Sequence, residues 1–281
     1  EFAAFQQLDE TLQHIYYNLL CNKSEFKAFF TFVDLEVART NTEDLIREKF
    51  YGEICRNVNL AKLIEHYPIA FTYSLALINT KSRLSITPPW VIKNYPDIES
   101  ILYLLKNNPC LTGCKYCNRA LDIHRGLKKF FGFEAYRTYG EDPLQEKAVK
   151  AAIDNKSILA VFLTGGGKSI TFQVPALMAG ENAKGLTVVI SPLQSLMKDQ
   201  VDNLERIGIT DAVTINGLLD PIERAKSFNR VENGAVSILY ISPESLRSKS
   251  IEHLLLGRNI IRFVIDEAHC FSSWGQDFRV D

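Results

Sequence analysis

The chain has 281 residues, enough for about two domains, and a formal net charge of -1 at pH 7. With 46% hydrophobic and 23% charged residues it has the composition of a globular protein, and no apolar run approaches the ~20 residues that a membrane-spanning helix needs. The near-neutral charge excludes nucleic-acid binding through bulk charge, so such binding requires a local patch. The chain begins Glu-Phe without a signal-peptide pattern and ends soon after an apolar run, so we expect a piece of a longer protein. Because no secretory signal is visible, we expect a reducing compartment.

The sequence pattern of residues 1–125 predicts a mainly α-helical accessory region. Apolar residues recur at helical spacing within 1–30, and 43–80 is mostly helical in pattern. Between them, the aromatic and β-branched residues of FFTFVDLEV at 29–37 favour a strand. The stretch DIESILYLLKNN at 97–108 predicts a short amphipathic helix that Pro109 ends.

Residues 126–281 predict an α/β domain. Short apolar runs typical of strands alternate with longer stretches of helical pattern, which indicates a parallel sheet covered by helices. The near-continuous apolar character of the runs fits strands buried on both faces. The predicted strands are ILAVF (158–162), GLTVVIS (185–191), AVTIN (212–216), VSILYIS (236–242) and IIRFVID (260–266).

A glycine-rich loop, LTGGGKS at 163–169, lies between a predicted strand and a predicted helix. Glycines let the backbone approach phosphates, and amides at a helix N-terminus point at them. Lys168 would reach the β- and γ-phosphates, and the Ser169 hydroxyl would hold Mg²⁺. The alternative is a chance glycine-rich turn, because Phe162 stands where the usual pattern has its first glycine. The predicted nucleotide-binding residues of the loop are Thr164, Gly165, Gly166, Gly167, Lys168 and Ser169.

An acidic pair follows the last predicted strand, which we expect to be a central one. In an open α/β sheet, ligands bind at the carboxyl ends of the strands. Asp266 would hold Mg²⁺ through water, and Glu267 would orient or deprotonate the attacking water. His269 completes the DEAH sequence and is a further candidate catalytic residue. The alternative is a pair of surface acids.

Four segments, in this order, resemble the first motor lobe of RecQ-family DNA helicases: TGGGKS, SPLQSLMKDQV, YISPE and DEAHCFSSWGQDFR. The resemblance covers about residues 130–281. It implies a RecA-like lobe that uses ATP and Mg²⁺, acts on single-stranded DNA and duplex junctions with 3′-to-5′ polarity, and works with a second RecA-like lobe further along the chain. It also implies a nucleoid or nuclear location and a role in DNA repair or recombination.

The same resemblance implies roles for residues outside the phosphate loop. Phe133 would stack on adenine, and Arg137 and Gln145 would hydrogen-bond it, although about four extra residues separate Arg137 from LQEKAV. Aromatic side chains stack on bases with little sequence preference. The residues expected to contact DNA are Ser191, Leu193, Trp274, Phe278 and Arg279. Two other functions stay open: a DNA-dependent ATPase switch that does not unwind, and an interaction module with a degenerate site.

Three cysteines crowd into CLTGCKYC within a predicted Cys-rich knuckle at 108–125. Cys110, Cys114 and Cys117 have the spacing of metal ligands, and His124 would complete a tetrahedral zinc site. Three alternatives remain open. They are an iron–sulfur cluster with Cys55 or Cys21 as fourth ligand, a cluster of the radical-SAM type, and free thiols.

The stretch FVDLEV superficially resembles the first motif of a 3′-to-5′ exonuclease. It would place Asp34 and Glu36 on one face of a strand, and Asp97 is a candidate for a third carboxylate. No convincing partner segment follows. We therefore favour solvent-facing acids on a strand or helix.

Overall fold

The computed structural model describes residues 35–79, 95–110, 113–163, 165–217 and 219–269. They divide into two compact units. The N-terminal unit contains the described residues up to Ala120, and the C-terminal unit contains those from Leu121 onward.

The N-terminal unit is helical, as predicted. Its core forms where apolar side chains of successive helices meet, and Phe50, Phe71, Leu75 and Ile98 are each at most 1% exposed. Asn59 begins the second helix by accepting a hydrogen bond from the Lys62 backbone N–H at 3.0 Å. The helices are α1 (Leu35–Lys49), α2 (Leu60–His66), α3 (Pro68–Asn79), α4 (Asp97–Lys106) and α5 (Lys115–Ala120).

The strand expected at 29–37 is corrected where the structure describes it. Residues 35–37 form the first turn of α1 rather than part of a strand. Strand propensity is a weak preference, and a helix that continues for fifteen residues overrides it. Residues 29–34, and the helix expected within 1–30, lie outside the described residues.

The C-terminal unit contains a four-stranded, wholly parallel sheet: β1 (Leu186–Ile190), β2 (Ala212–Ile215), β3 (Ile238–Ile241) and β4 (Ile260–Ile265). The strand order is β2-β3-β1-β4. At the centre of the register Val188 pairs with Leu239 on one side and Phe263 on the other. This confirms the α/β fold with a parallel sheet.

Helices cover both faces of this sheet. Val188 and Leu239 belong to a core with Ile251, whereas Val189 and Tyr240 pack on the opposite face. The helices are α6 (Ile123–Phe131), α7 (Leu144–Ile153), α8 (Lys168–Ala183), α9 (Gln194–Arg206), α10 (Pro221–Glu232) and α11 (Lys249–Leu256), with a 3₁₀ turn at Pro243–Arg247. Among the helices described in either unit, none combines the length and apolar character needed to cross a membrane.

One predicted strand is not formed. The run ILAVF at 158–162 has no regular secondary structure, and Leu159 and Val161 are 83% and 78% exposed. An extended segment becomes a strand only by pairing with a neighbour.

Strand β4, expected to be central, is at one edge of the described sheet and pairs there with β1 alone. Phe263 in β4 is correspondingly 57% exposed.

Candidate nucleotide-binding site

The glycine-rich loop leads directly into α8, which begins at Lys168. Gly165 and Gly167 have φ values of +75° and +70°, in the left-handed region that glycine adopts without strain. Gly167 is the N-terminal cap residue of α8 and makes no side-chain cap. The first backbone N–H groups of the helix are therefore left for a ligand, and an anion suits them. Thr164 lies outside the described residues.

The loop is packed too tightly for a larger residue at two of its glycines. A Cβ atom at Gly166 would lie 2.7 Å from the Leu163 carbonyl oxygen and 3.0 Å from the Tyr139 hydroxyl. A Cβ atom at Gly167 would lie 2.5 Å from Gln145 Nε2. Glycine is therefore required here for space as well as for backbone conformation.

Gln145 supports the glycine-rich loop through side-chain hydrogen bonds. Its side chain is buried, and its Nε2 donates to the Gly167 carbonyl at 3.0 Å and to the Gly166 carbonyl at 3.3 Å. Its Oε1 accepts from the Arg137 backbone N–H at 2.8 Å. The resemblance implied an adenine contact for Gln145, and its observed contacts are with the glycine-rich loop and the Arg137 backbone.

Tyr139 is a loop residue that sequence reasoning missed. Its hydroxyl donates a hydrogen bond to the Gly166 carbonyl, and its ring lies 5.4 Å from that of Phe162. Tyr139 belongs to the extra segment between Arg137 and LQEKAV, where no motif points to a function. Only the folded chain brings it to the loop.

Phe133 and Arg137, the other residues expected at the base, are both on the surface. Phe133 is 53% exposed, and its ring lies nearly parallel to that of Phe131, with 6.4 Å between centroids. Arg137 is also exposed. Both side chains are accessible to a ligand, and their adenine contacts stay a prediction.

The acidic pair follows β4 at the carboxyl edge of the sheet. The Asp266 backbone N–H donates to the Ile190 carbonyl at 2.9 Å, which ties the pair to the end of β1. Asp266 Oδ1 in turn accepts from the Glu267 backbone N–H at 3.0 Å. Glu267 has φ of +49°, a conformation that is uncommon for residues other than glycine and clusters at functional sites.

Lys168 and Glu267 join the two halves of the site. Lys168 Nζ lies 2.9 Å from Glu267 Oε1, and the two side chains are 37% and 27% exposed. His269 Nδ1 lies 3.2 Å from the other carboxylate oxygen, Glu267 Oε2. Three of the predicted catalytic residues are therefore in direct contact.

The electrostatics of the site suit a bound cation. Burial raises the pKa of Asp266, the neighbouring Glu267 carboxylate raises it further, and Lys168 acts in the opposite direction. A cation brought to these acids would relieve that repulsion. Asp266 and Ser169 offer carboxylate and hydroxyl oxygens, the donors that Mg²⁺ prefers, so the residues present fit this ion.

The described residues among those expected to contact DNA differ in their exposure. Ser191 is 2% exposed and therefore lies below the surface. Its hydroxyl has no hydrogen-bond partner among the described residues. Leu193 is 44% exposed. Trp274, Phe278 and Arg279 lie outside the described residues.

The cysteine cluster differs from the expected set of zinc ligands. Cys110, Cys114 and Cys117 lie together, and the fourth side chain with them is Cys55. His124 belongs to the other compact unit, and its Nε2 lies 3.1 Å from Glu146 Oε1. Cys55 is far from the other three in sequence, and no local spacing marks it as their partner.

Comparison with known proteins relates the domain that carries the candidate nucleotide site to helicases. Residues 142–281 match the family model for DEAD/DEAH box helicases. The chain is 42% identical over 161 residues to the ATP-dependent DNA helicase RecQ of Bacillus subtilis (strain 168), covering 56% of this chain and 26% of that protein. It is 39% identical over 171 residues to the ATP-dependent DNA helicase Q5 of Rattus norvegicus, covering 58% of this chain and 17% of the relative.

A yeast relative gives the same result. The chain is 38% identical over 154 residues to the ATP-dependent helicase SGS1 of Saccharomyces cerevisiae, covering 53% of this chain and 10% of the relative. The chain thus spans about a quarter or less of the length of these three relatives. Residues 142–281 thus match the DEAD/DEAH box helicases, and the chain resembles RecQ-family helicases.

Proposed function

We propose that this chain provides the ATP-binding lobe of a RecQ-like, ATP-dependent DNA helicase. The observation that carries the proposal is the 2.9 Å contact between Lys168 at the start of α8 and Glu267 after β4. It unites a phosphate-binding loop with an acidic pair at the carboxyl edge of a parallel sheet, the arrangement that phosphoryl transfer from a nucleotide requires.

The proposed chemistry uses positioning and charge. The amides at the start of α8 and the Lys168 ammonium hold the β- and γ-phosphates. Ser169 and Asp266 would hold Mg²⁺, which would supply positive charge against the phosphate oxygens. Glu267 orients a water molecule for in-line attack and accepts its proton.

The contact between Lys168 and Glu267 also bears on how ATP would be bound. Across this contact each charge neutralises the other. An incoming γ-phosphate competes with Glu267 for Lys168, because a phosphate carries more charge than a carboxylate. Glu267 is then free to turn towards water, so binding of ATP itself prepares the general base.

DNA is the proposed second partner. The segment with Trp274, Phe278 and Arg279 follows the acidic pair within thirteen residues along the chain. Aromatic stacking and an arginine suit single-stranded DNA, and bound DNA could act on Glu267 through this short connection. Translocation and unwinding in the 3′-to-5′ direction, at the nucleoid or in the nucleus, are proposed for the whole protein together with a second RecA-like lobe.

The test is MgATP binding and DNA-stimulated ATP hydrolysis by the purified 281-residue chain. We expect Glu267→Gln to bind MgATP at least as tightly as the unsubstituted protein, because Lys168 loses a competitor. We expect hydrolysis to fall roughly 10²-fold or more, the usual effect of removing a general base. The control is Glu252→Gln, an exposed position on α11. Loss of MgATP binding in Glu267→Gln, or unchanged hydrolysis, would contradict the proposed role.

A further inference from the structure

Four cysteine side chains of the N-terminal unit converge on one point. The Sγ atoms of Cys55, Cys110, Cys114 and Cys117 all lie within 4.8 Å of one another. All four are free thiols; Cys55 and Cys117 are buried, and the other two are partly buried. The site is separate from the nucleotide site, because it belongs entirely to the other compact unit.

The size of the cluster indicates a single ion. Zinc–sulfur bonds of about 2.3 Å place the corners of a tetrahedron about 3.8 Å apart. Sulfur atoms already within 4.8 Å of one another need only a small contraction to reach that geometry. A cluster of two or four iron atoms would hold some of the four sulfurs further apart, because sulfurs bound to different irons are separated by the cluster itself.

Backbone groups hydrogen-bond sulfur atoms of the cluster. The Cys117 backbone N–H donates to Cys114 Sγ at 3.4 Å. Backbone groups of Asn57 and Arg56 hydrogen-bond the thiols of Cys55 and Cys114. Hydrogen bonds to the ligand atoms are typical of the groups that support a bound metal.

Hydrogen bonds also fix the segments that carry the cysteines. The Cys55 backbone N–H donates to the Leu105 carbonyl at 2.7 Å, and the Tyr116 hydroxyl donates to the Lys106 carbonyl at 3.0 Å. Arg119 Nη2 donates to the Gly52 carbonyl at 2.6 Å. The loop after α1, the end of α4 and the start of α5 are thus held around the same point.

We propose that Cys55, Cys110, Cys114 and Cys117 bind one Zn²⁺ ion in a closed, structural site that joins these three segments. Thiolates select soft or borderline metals, and four protein ligands leave no position open for catalysis. A structural metal is a common means of stabilising a small unit.

The test begins with the 281-residue chain purified without chelators. We expect one zinc per chain by elemental analysis. Replacement of zinc by Co²⁺ should give the visible absorption of tetrahedral cobalt together with strong sulfur-to-cobalt charge transfer from four thiolates. Absence of zinc, iron in its place, or a cobalt spectrum with fewer than four thiolates would overturn the proposal.

Two variants separate the proposed ligand set from the one that the sequence suggested. Cys55→Ser should lose stoichiometric zinc, and its cobalt complex should lose one thiolate's share of the charge-transfer intensity. His124→Ala should keep one zinc per chain and an unchanged cobalt spectrum. If Cys55→Ser is insoluble, the unsubstituted protein's charge-transfer intensity still counts the thiolates. Loss of zinc in His124→Ala with retention in Cys55→Ser would overturn the assignment.

Discussion

Lys168 Nζ contacts Glu267 Oε1 at 2.9 Å, although 99 residues separate them in the chain. Lys168 opens the first turn of α8, and Glu267 follows β4, so the contact reports how the helix and the strand end meet. The pair is partly exposed, and pairs of this kind contribute at most about 1 kcal/mol to stability. We therefore expect it to matter for ligand binding rather than for folding.

Lys168→Ala should separate these two effects. We expect MgATP affinity to fall at least about tenfold, roughly 1.4 kcal/mol, because the phosphates lose their charge partner. The free energy of unfolding without nucleotide should change by less than about 1 kcal/mol. Calorimetric titration and urea unfolding measure the two quantities.

The matched control for Lys168 is Lys226→Ala, an exposed lysine on α10. Its MgATP affinity should equal that of the unsubstituted protein. Equal affinity in Lys168→Ala, measured on folded protein, would contradict the proposed phosphate contact.

Gln145→Glu tests the support of the phosphate loop. The carboxylate cannot donate to the Gly166 and Gly167 carbonyls. Its oxygens would therefore face both carbonyl oxygens with no N–H group between them. We expect a loss of about 1–3 kcal/mol in stability, together with weaker MgATP binding. Urea unfolding with and without nucleotide measures both. Gln194→Glu, at the start of α9, should stay within about 0.5 kcal/mol, and an equally small change at Gln145 would refute the support role.

Gly180→Ala tests the packing of α8 on the sheet. Alanine normally stabilises a helix interior by about 1 kcal/mol relative to glycine. Here its Cβ would lie 1.8 Å from Ser237 Oγ and 2.4 Å from Ser237 Cβ, and Ser237 is 5% exposed and confined. We expect a net destabilisation of about 1–3 kcal/mol in urea unfolding.

Two further variants check that this loss is steric. Gly257→Ala, whose Cβ would make only ordinary contacts with the nearest at 3.6 Å, should be close to neutral. Adding Ser237→Gly to Gly180→Ala should recover part of the loss. A stabilised Gly180→Ala protein would show that α8 packs differently.

Trp274→Ala tests the proposed DNA contact. Loss of one stacked base costs about 1–3 kcal/mol, so the affinity for single-stranded oligonucleotides should fall by roughly tenfold or more. Fluorescence anisotropy with a labelled oligonucleotide at fixed salt concentration measures this change. The control is Trp90→Ala, which removes the chain's other tryptophan. Equal losses for the two variants would argue against a specific role of Trp274.

Local sequence patterns predicted the elements of the helicase domain well where an element depends mainly on its own residues. The alternation of apolar runs and helical stretches predicted β1 to β4 and the helices that connect them. The run at 158–162 was as apolar as β1, yet it is not a strand. A strand requires a neighbouring strand to pair with, and the sequence of the run alone does not show whether one is available.

The sequence by itself predicted the residues of the candidate nucleotide site, because a glycine loop followed by Lys-Ser and an acidic pair after an apolar strand are local patterns with local physical causes. Only the tertiary structure decided which distant groups complete each site. It brought Gln145 and Tyr139 to the phosphate loop and Glu267 to Lys168. It also placed Cys55, rather than His124, beside the other three cysteines. Such contacts depend on how helices and loops pack, and packing is a property of the whole fold rather than of any short segment.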